Sequence, residues 1–188
     1  MSITARITLD EYDRMIAEGI FDGPHRSRIE LIHGELRTMT PIGPEHEEIV
    51  DFLSRWSWKN TPEKTIRIRV QQSMGIPEFD SAPEPDIAWV GERSYASGRP
   101  RPADVLLIIE VAASSLPYDR GVKADLYAAG IIQDYWIVNL YDRTVEVRRE
   151  PQAGLYQSVQ VYGSGESVHP LCLPTVVLDI DQMFATLN

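Results

Sequence analysis

The stretch from Val105 to Leu140, VLLIIEVAASSLPYDRGVKADLYAAGIIQDYWIVNL, limits what this chain can fold into more than any other. It opens with a branched apolar run, Val105 to Ile109, that ends on an acid, Glu110. Such a run predicts a buried strand, although periodicity by itself leaves a helix open. A carboxylate at the end of a buried strand is costly unless it is paired, protonated or metal-bound. Ser114 to Arg120 carries the Ser, Pro, Tyr and Asp of a loop and helix entry. Lys123, Leu126 and Tyr127 then fall at helical spacing, Gly130 suits the helix C-cap, and Tyr135 to Val138 resumes a strand. The stretch therefore reads as strand–helix–strand, with an acid on the first strand and a lysine on the helix.

The flanking sequence extends this pattern. Thr8 to Glu18 predicts a short helix with Thr8 as N-cap and Glu11 completing a capping box, closed by Gly19 and Gly23. RIELIHGELRTMT places Ile29, Leu31 and Leu36 around a His33-Gly34 turn, a hairpin with Glu30 in its first arm. Ile49, Val50, Leu53 and Trp56 give an amphipathic helix from Glu45 to Trp58. Thr65 to Met74 alternates as a half-exposed strand with Arg67 and Arg69 on one face. A proline-rich approach leads to a strand near Ile87, and further strands follow Leu140 before a closing strand and helical turn. The expected class is α/β or α+β: a central mixed sheet flanked by helices, with residues 1–188 as one domain.

Composition excludes several classes of function. The 43% apolar content is that of a globular protein, and the single cysteine, Cys172, allows no intrachain disulfide. The N-terminus lacks the apolar core of a signal peptide and no run reaches transmembrane length, so a cytoplasmic protein is expected. A net charge of −10 argues against coating nucleic acid by bulk electrostatics. The charge is uneven, however: Arg55, Lys59, Lys64, Arg67 and Arg69 face only Glu63 between residues 55 and 69. That segment is either a local basic face or a solvated helix and strand edge.

Two acids stand at strand ends, Asp86 in PEPDIAWV and Glu110 in LLIIEVA. Antiparallel pairing of their strands would bring both to one edge, where their repulsion invites Mg²⁺ or Mn²⁺. Taken alone, Asp86 also suits a turn after Pro85. Lys123 is either a third member of this group or a surface partner of Asp119 four residues earlier.

Together, PEPDIAWV, LLIIEVAASS and DRGVKADLYAAGIIQDYWIVNL resemble the Uma-type restriction endonuclease family of the PD-(D/E)XK nuclease superfamily. ELIHGELRTMTPIGPEH resembles that family's N-terminal segment, so the likeness spans roughly Glu30 to Val147. It implies a restriction-endonuclease-like core, with Asp86 and Glu110 as the metal-binding acids and Glu30 as an acid near the metal. Lys123 matches a family lysine moved onto the helix, because Ala112 occupies the usual lysine position two residues after Glu110. His46 also matches a family position, though an ordinary helix-start histidine would look the same. Gln71 and Gln72 are further candidates for the same cleft.

The resulting expectation is a Mg²⁺- or Mn²⁺-dependent endonuclease hydrolysing DNA phosphodiester bonds. Asp86 and Glu110 would hold the ion with the Val111 carbonyl, and Lys123 would orient the attacking water. Arg55, Lys59, Arg67 and Arg69 would meet flanking phosphates. A homodimer is the expected means of cutting both strands, with Trp56 and Trp58 offering apolar contact. The rival reading is a catalytically inactive nuclease-fold module for DNA binding or protein interaction, which the low pI near 4.8 and Ala112 keep open.

Overall fold

The computed structural model describes residues 5–22, 28–39 and 41–187, and opens on a helix capped by its own sequence. In α1 (Leu9–Ala17) the Thr8 hydroxyl accepts from the Glu11 amide at 3.3 Å, while Glu11 Oε2 accepts from the Thr8 amide at 2.8 Å. This reciprocal box satisfies backbone donors that a helix start leaves bare. Gly19 follows with a φ of 70°. Gly23 lies outside the described residues.

β1 (Ile29–Ile32) and β2 (Glu35–Thr38) form the predicted hairpin, with Ile32 opposite Glu35. Its two turn residues, His33 and Gly34, have φ of 51° and 75°, as a tight two-residue turn between twisted strands requires. At Gly34 a Cβ would lie 2.8 Å from the Arg6 Cβ, so the chain can cross there only without a side chain. α2 (Pro44–Asn60) outruns the predicted helix at both ends, with Pro44 in the first turn where its missing N–H costs nothing.

β3 (Ile66–Val70) is shorter than the alternation predicts, because Gln71 turns to a φ of 50° and leaves the strand. There follow β4 (Ile87–Gly91), β5 (Val105–Ala112), α3 (Leu116–Tyr118), a π-helical turn over Asp119–Lys123, and α4 (Ala124–Ala129). β6 (Asp134–Asn139), β7 (Thr144–Gln152) and β8 (Leu155–Tyr162) complete the main sheet. The two-residue strands β9 (Ser167–Val168) and β10 (Leu178–Asp179) lead to α5 (Ile180–Phe184).

The main sheet has the order β3-β4-β5-β6-β7-β8. Only β5 and β6 run parallel, which is what a helical crossover between them demands. The other pairs are antiparallel, making a mixed sheet. α2 and α5 cover one face through Ile49, Leu53 and Met183 against Trp89 and Trp136, and α4 covers the other through Leu126 and Tyr127 against Ile108 and Tyr135. The architecture is α+β, a six-stranded sheet between helices.

Gly130 is the C-cap of α4, as the sequence predicts, with an ordinary φ of −73°; the left-handed position falls on exposed Ile131, at 61°. Trp56 packs inward, 5.4 Å from the Trp89 ring, with its indole N–H on the Val177 carbonyl. Trp58, by contrast, is 56% exposed. No helix among the described residues is long and apolar enough to cross a membrane.

Candidate active site

The register of β4 and β5 sets Ile87 opposite Ile109, so Asp86 and Glu110 are the next residues along, on one face of the sheet. The Val111 amide donates to Asp86 Oδ2 at 2.9 Å and ties the two strand ends together. Asp86 Oδ2 also meets His46 Nε2 at 3.1 Å, from the first turns of α2, and Oδ1 accepts from Gln71 Nε2 at 3.2 Å. The left-handed turn at Gln71 is what brings that side chain to Asp86; its neighbour Gln72 is exposed.

Lys123 reaches Glu110 from the far side of the crossover. The π-helical turn adds a residue to its turn and shifts the phase of the side chains after it, a feature frequent at functional sites. Lys123 Nζ donates to Glu110 Oε1 at 2.9 Å, and Tyr127, one turn on, donates its hydroxyl to the same oxygen at 2.8 Å. Tyr135 holds the start of the π turn by donating to the Asp119 carbonyl at 3.0 Å. Lys123 is 4% exposed, which excludes the surface pair with Asp119.

Glu30 arrives from β1. Its Oε1 accepts from the Tyr118 hydroxyl at 3.1 Å, its Oε2 from the Glu84 amide at 3.4 Å, and Lys123 Nζ lies 3.8 Å from Oε2. Glu30, His46, Asp86, Glu110 and Lys123 all line one cavity of about 590 Å³.

The sequence reading ends the strand at Glu110, but β5 runs on through Ala112, and electrostatics separate Glu110 from Asp86. Burial opposes ionisation of Asp86, yet the His46 hydrogen bond and charge, the Val111 amide and Lys123 hold it below the usual carboxylate range. Burial pushes Glu110 the other way, up to about 8, with Asp119 and Asp86 adding to the rise against Lys123. Burial also works against the Lys123 charge, but Glu110, Glu30 and Asp119 together raise it above an ordinary lysine. Two carboxylates driven apart in this way mark a site able to give them different tasks.

The donor set also bears on metal. Among the described residues, no group of three or more His, Cys, Asp or Glu side chains forms a ready cage for an ion. Asp86 and Glu110 line one cavity and offer carboxylate oxygens only, which suits an ion that keeps most of its waters. Both hydrogen bonds to Glu110 fall on Oε1. Burial is the main cause of the upward shift of Glu110, with the charges of Asp119 and Asp86 adding to it, and a divalent cation beside the carboxylate would favour its ionised form.

Arg67 and Arg69 stand apart from this cavity. Glu92 holds Arg67 through two hydrogen bonds of 3.0 and 2.6 Å, while Arg69 lies over the Tyr95 ring and donates to the Ser73 carbonyl. Sequence reasoning missed Tyr118 and Tyr127 as site residues. The signal for Tyr127 was its spacing of four from Lys123, which reads equally as an apolar helix stripe.

Comparison with known proteins bears on the fold and the family. A solved structure titled "putative nuclease belonging to DUF820", from Anabaena variabilis, superposes with a TM-score of 0.73 over 97% of this chain and 99% of that one. At 19% identity the likeness is one of fold. No curated protein matches the sequence. The model of the Uma2 family, described as "Putative restriction endonuclease", matches residues 9–181, a span that holds every residue of the cavity cluster. The chain belongs to the Uma2 family.

Proposed function

We propose that this protein is a Mg²⁺- or Mn²⁺-dependent endonuclease that hydrolyses DNA phosphodiester bonds. The observation that carries the proposal is the meeting of Asp86, Glu110 and Lys123 in one cavity, with the lysine on Glu110 although Ala112 fills the usual position. Membership of a family described as restriction endonucleases supports the substrate class.

In this reading Asp86 and Glu110 hold the ion, with the Val111 carbonyl and Glu30 as further oxygen donors. A divalent cation so held supplies charge neutralisation at the scissile phosphate and strengthens water as a nucleophile. His46 and Gln71 fix the Asp86 carboxylate, and Tyr127 fixes Glu110. Lys123, kept protonated by its carboxylates, offers ammonium hydrogens that orient water and counter the charge of the transition state. Cutting both strands through one such site calls for a twofold pair of chains, on which sedimentation at micromolar concentration bears directly.

Cleavage of supercoiled plasmid with Mg²⁺ and with Mn²⁺, comparing wild type and Glu110→Ala, tests the reading. Cleavage should need the metal and vanish in the variant; cleavage that survives the substitution would place the chemistry elsewhere.

A further inference from the structure

The cavity is rich in acids, and a polyanion approaching Glu30, Asp86, Glu110 and Asp119 needs a cation at its mouth. Arg28, Arg37 and Lys123 reach the cavity, but they are engaged to different degrees. Glu84 holds Arg28 through Nε at 3.2 Å and Nη2 at 2.9 Å. Lys123 is buried on Glu110. Arg37 stands opposite Glu30 across the β1–β2 hairpin, yet its ion pair is with Glu35, at 3.1 Å. Both of those side chains are well exposed, at 41% and 45%, and an exposed pair of this kind contributes little and exchanges readily with water.

The Arg37 Nε is buried and has no hydrogen-bond partner among the described residues. A buried donor without an acceptor is costly, and it points to a partner that arrives from outside. The guanidinium also lies over the Tyr118 ring, 5.3 Å from its centroid, while the Tyr118 hydroxyl is held by Glu30. Stacking on an anchored ring restrains the plane of the fork before any ligand binds.

We propose that Arg37 binds a backbone phosphate of the DNA at the cavity mouth, beside the bond that is cut. This rests on the nuclease reading and adds to it a residue that touches substrate. A guanidinium fork matches two phosphate oxygens at once, which an ammonium cannot do. Glu35 competes for the same fork in the free protein and is displaced when DNA binds.

The test is fluorescence anisotropy of a short labelled duplex in Ca²⁺, over a salt series, with wild type, Arg37→Gln, Arg37→Lys and Glu35→Gln. Arg37→Gln should weaken binding about tenfold, as for one charge-assisted contact, and lower the salt slope by about 0.9, as for one phosphate. Arg37→Lys should recover the slope but only part of the affinity. Glu35→Gln, on an exposed strand end, should bind more tightly than wild type. Duplex binding by wild type that neither Arg37→Gln nor Glu35→Gln alters overturns the role of Arg37 alone. A wild type that neither binds the duplex nor cuts plasmid overturns the nuclease reading together with it.

Discussion

Lys123 Nζ lies 2.9 Å from Glu110 Oε1, although the two are thirteen positions apart along the chain and Lys123 closes a π-helical turn. The position two residues after Glu110, on the same strand face, is Ala112, completely buried in the cluster that includes Ala124, Leu126 and Tyr127 of α4. The helix thus occupies the space above the strand that a lysine at 112 would need, and it delivers its own lysine to the acid. The positive charge beside Glu110 thus comes from the helix and not from the strand.

The π turn is held to the sheet by Arg120, whose Nε donates to Glu146 Oε1 at 2.6 Å and whose Nη2 donates to the same oxygen. Glu146 lies opposite Ile137, which lies opposite Glu110, so turn and acid share one row across the sheet. Arg148 Nη2 donates to the other Glu146 oxygen at 3.0 Å. Glu146→Ala should lower stability by about 2–3 kcal/mol in chemical denaturation, a buried-pair loss reduced because Arg120 is half exposed. Glu146→Gln should fold and bind Mn²⁺ as wild type but cut more slowly, by roughly tenfold. Wild-type cleavage by Glu146→Gln would show that the clamp does not position Lys123.

His46 Nε2 lies 3.1 Å from Asp86 Oδ2, so on the proposed reading it acts through that carboxylate rather than on substrate. Groups that hold a metal-ligating carboxylate typically govern affinity by ten- to a hundredfold. Calorimetric titration with Mn²⁺ should therefore show weakened binding of roughly that size in His46→Ala, and none in Asp86→Ala. Unchanged affinity in His46→Ala would reduce the histidine to a helix-start residue.

Asp134 makes a separate, structural prediction. Fully buried, it accepts from the Trp136 indole, Arg149 Nε and the Leu171 amide, each at 2.8 Å, and so fastens the C-terminal segment to the sheet. Asp134→Ala leaves a guanidinium and two further donors without their acceptor, and should cost about 3–5 kcal/mol in urea or guanidinium unfolding. A loss under about 1 kcal/mol would mean that water replaces the carboxylate readily.

Local rules made part of this molecule legible in advance. Thr8 and Glu11 announce their box, His33-Gly34 its two-residue turn, and the β4 and β5 runs bring Asp86 and Glu110 together once their strands pair antiparallel. The rest depended on departures from regular periodicity. A left-handed φ at Gln71 chooses that glutamine over Gln72, and the π turn sets the phase of Lys123; neither leaves a periodic trace in the sequence. Arg67 and Arg69 read as a basic face because the sequence does not reveal that Glu92 folds back onto Arg67 or that Tyr95 underlies Arg69. Arg37, which lines the cavity, drew no attention because a lone arginine in a short strand has no pattern around it.

The account rests on Lys123 as the cation of the site, and single-turnover plasmid cleavage by Lys123→Ala, with Mn²⁺ binding measured on the same preparation, tests that most directly. The carboxylates are untouched by this change, so the variant should fold and bind Mn²⁺. Its cleavage should fall by roughly a hundredfold or more, the scale of losing one preorganised charged donor. Lys123→Arg should restore little, since a bulkier guanidinium cannot take the place of an ammonium in so closed a space. A Lys123→Ala protein that binds Mn²⁺ and cuts DNA as fast as wild type would contradict the account.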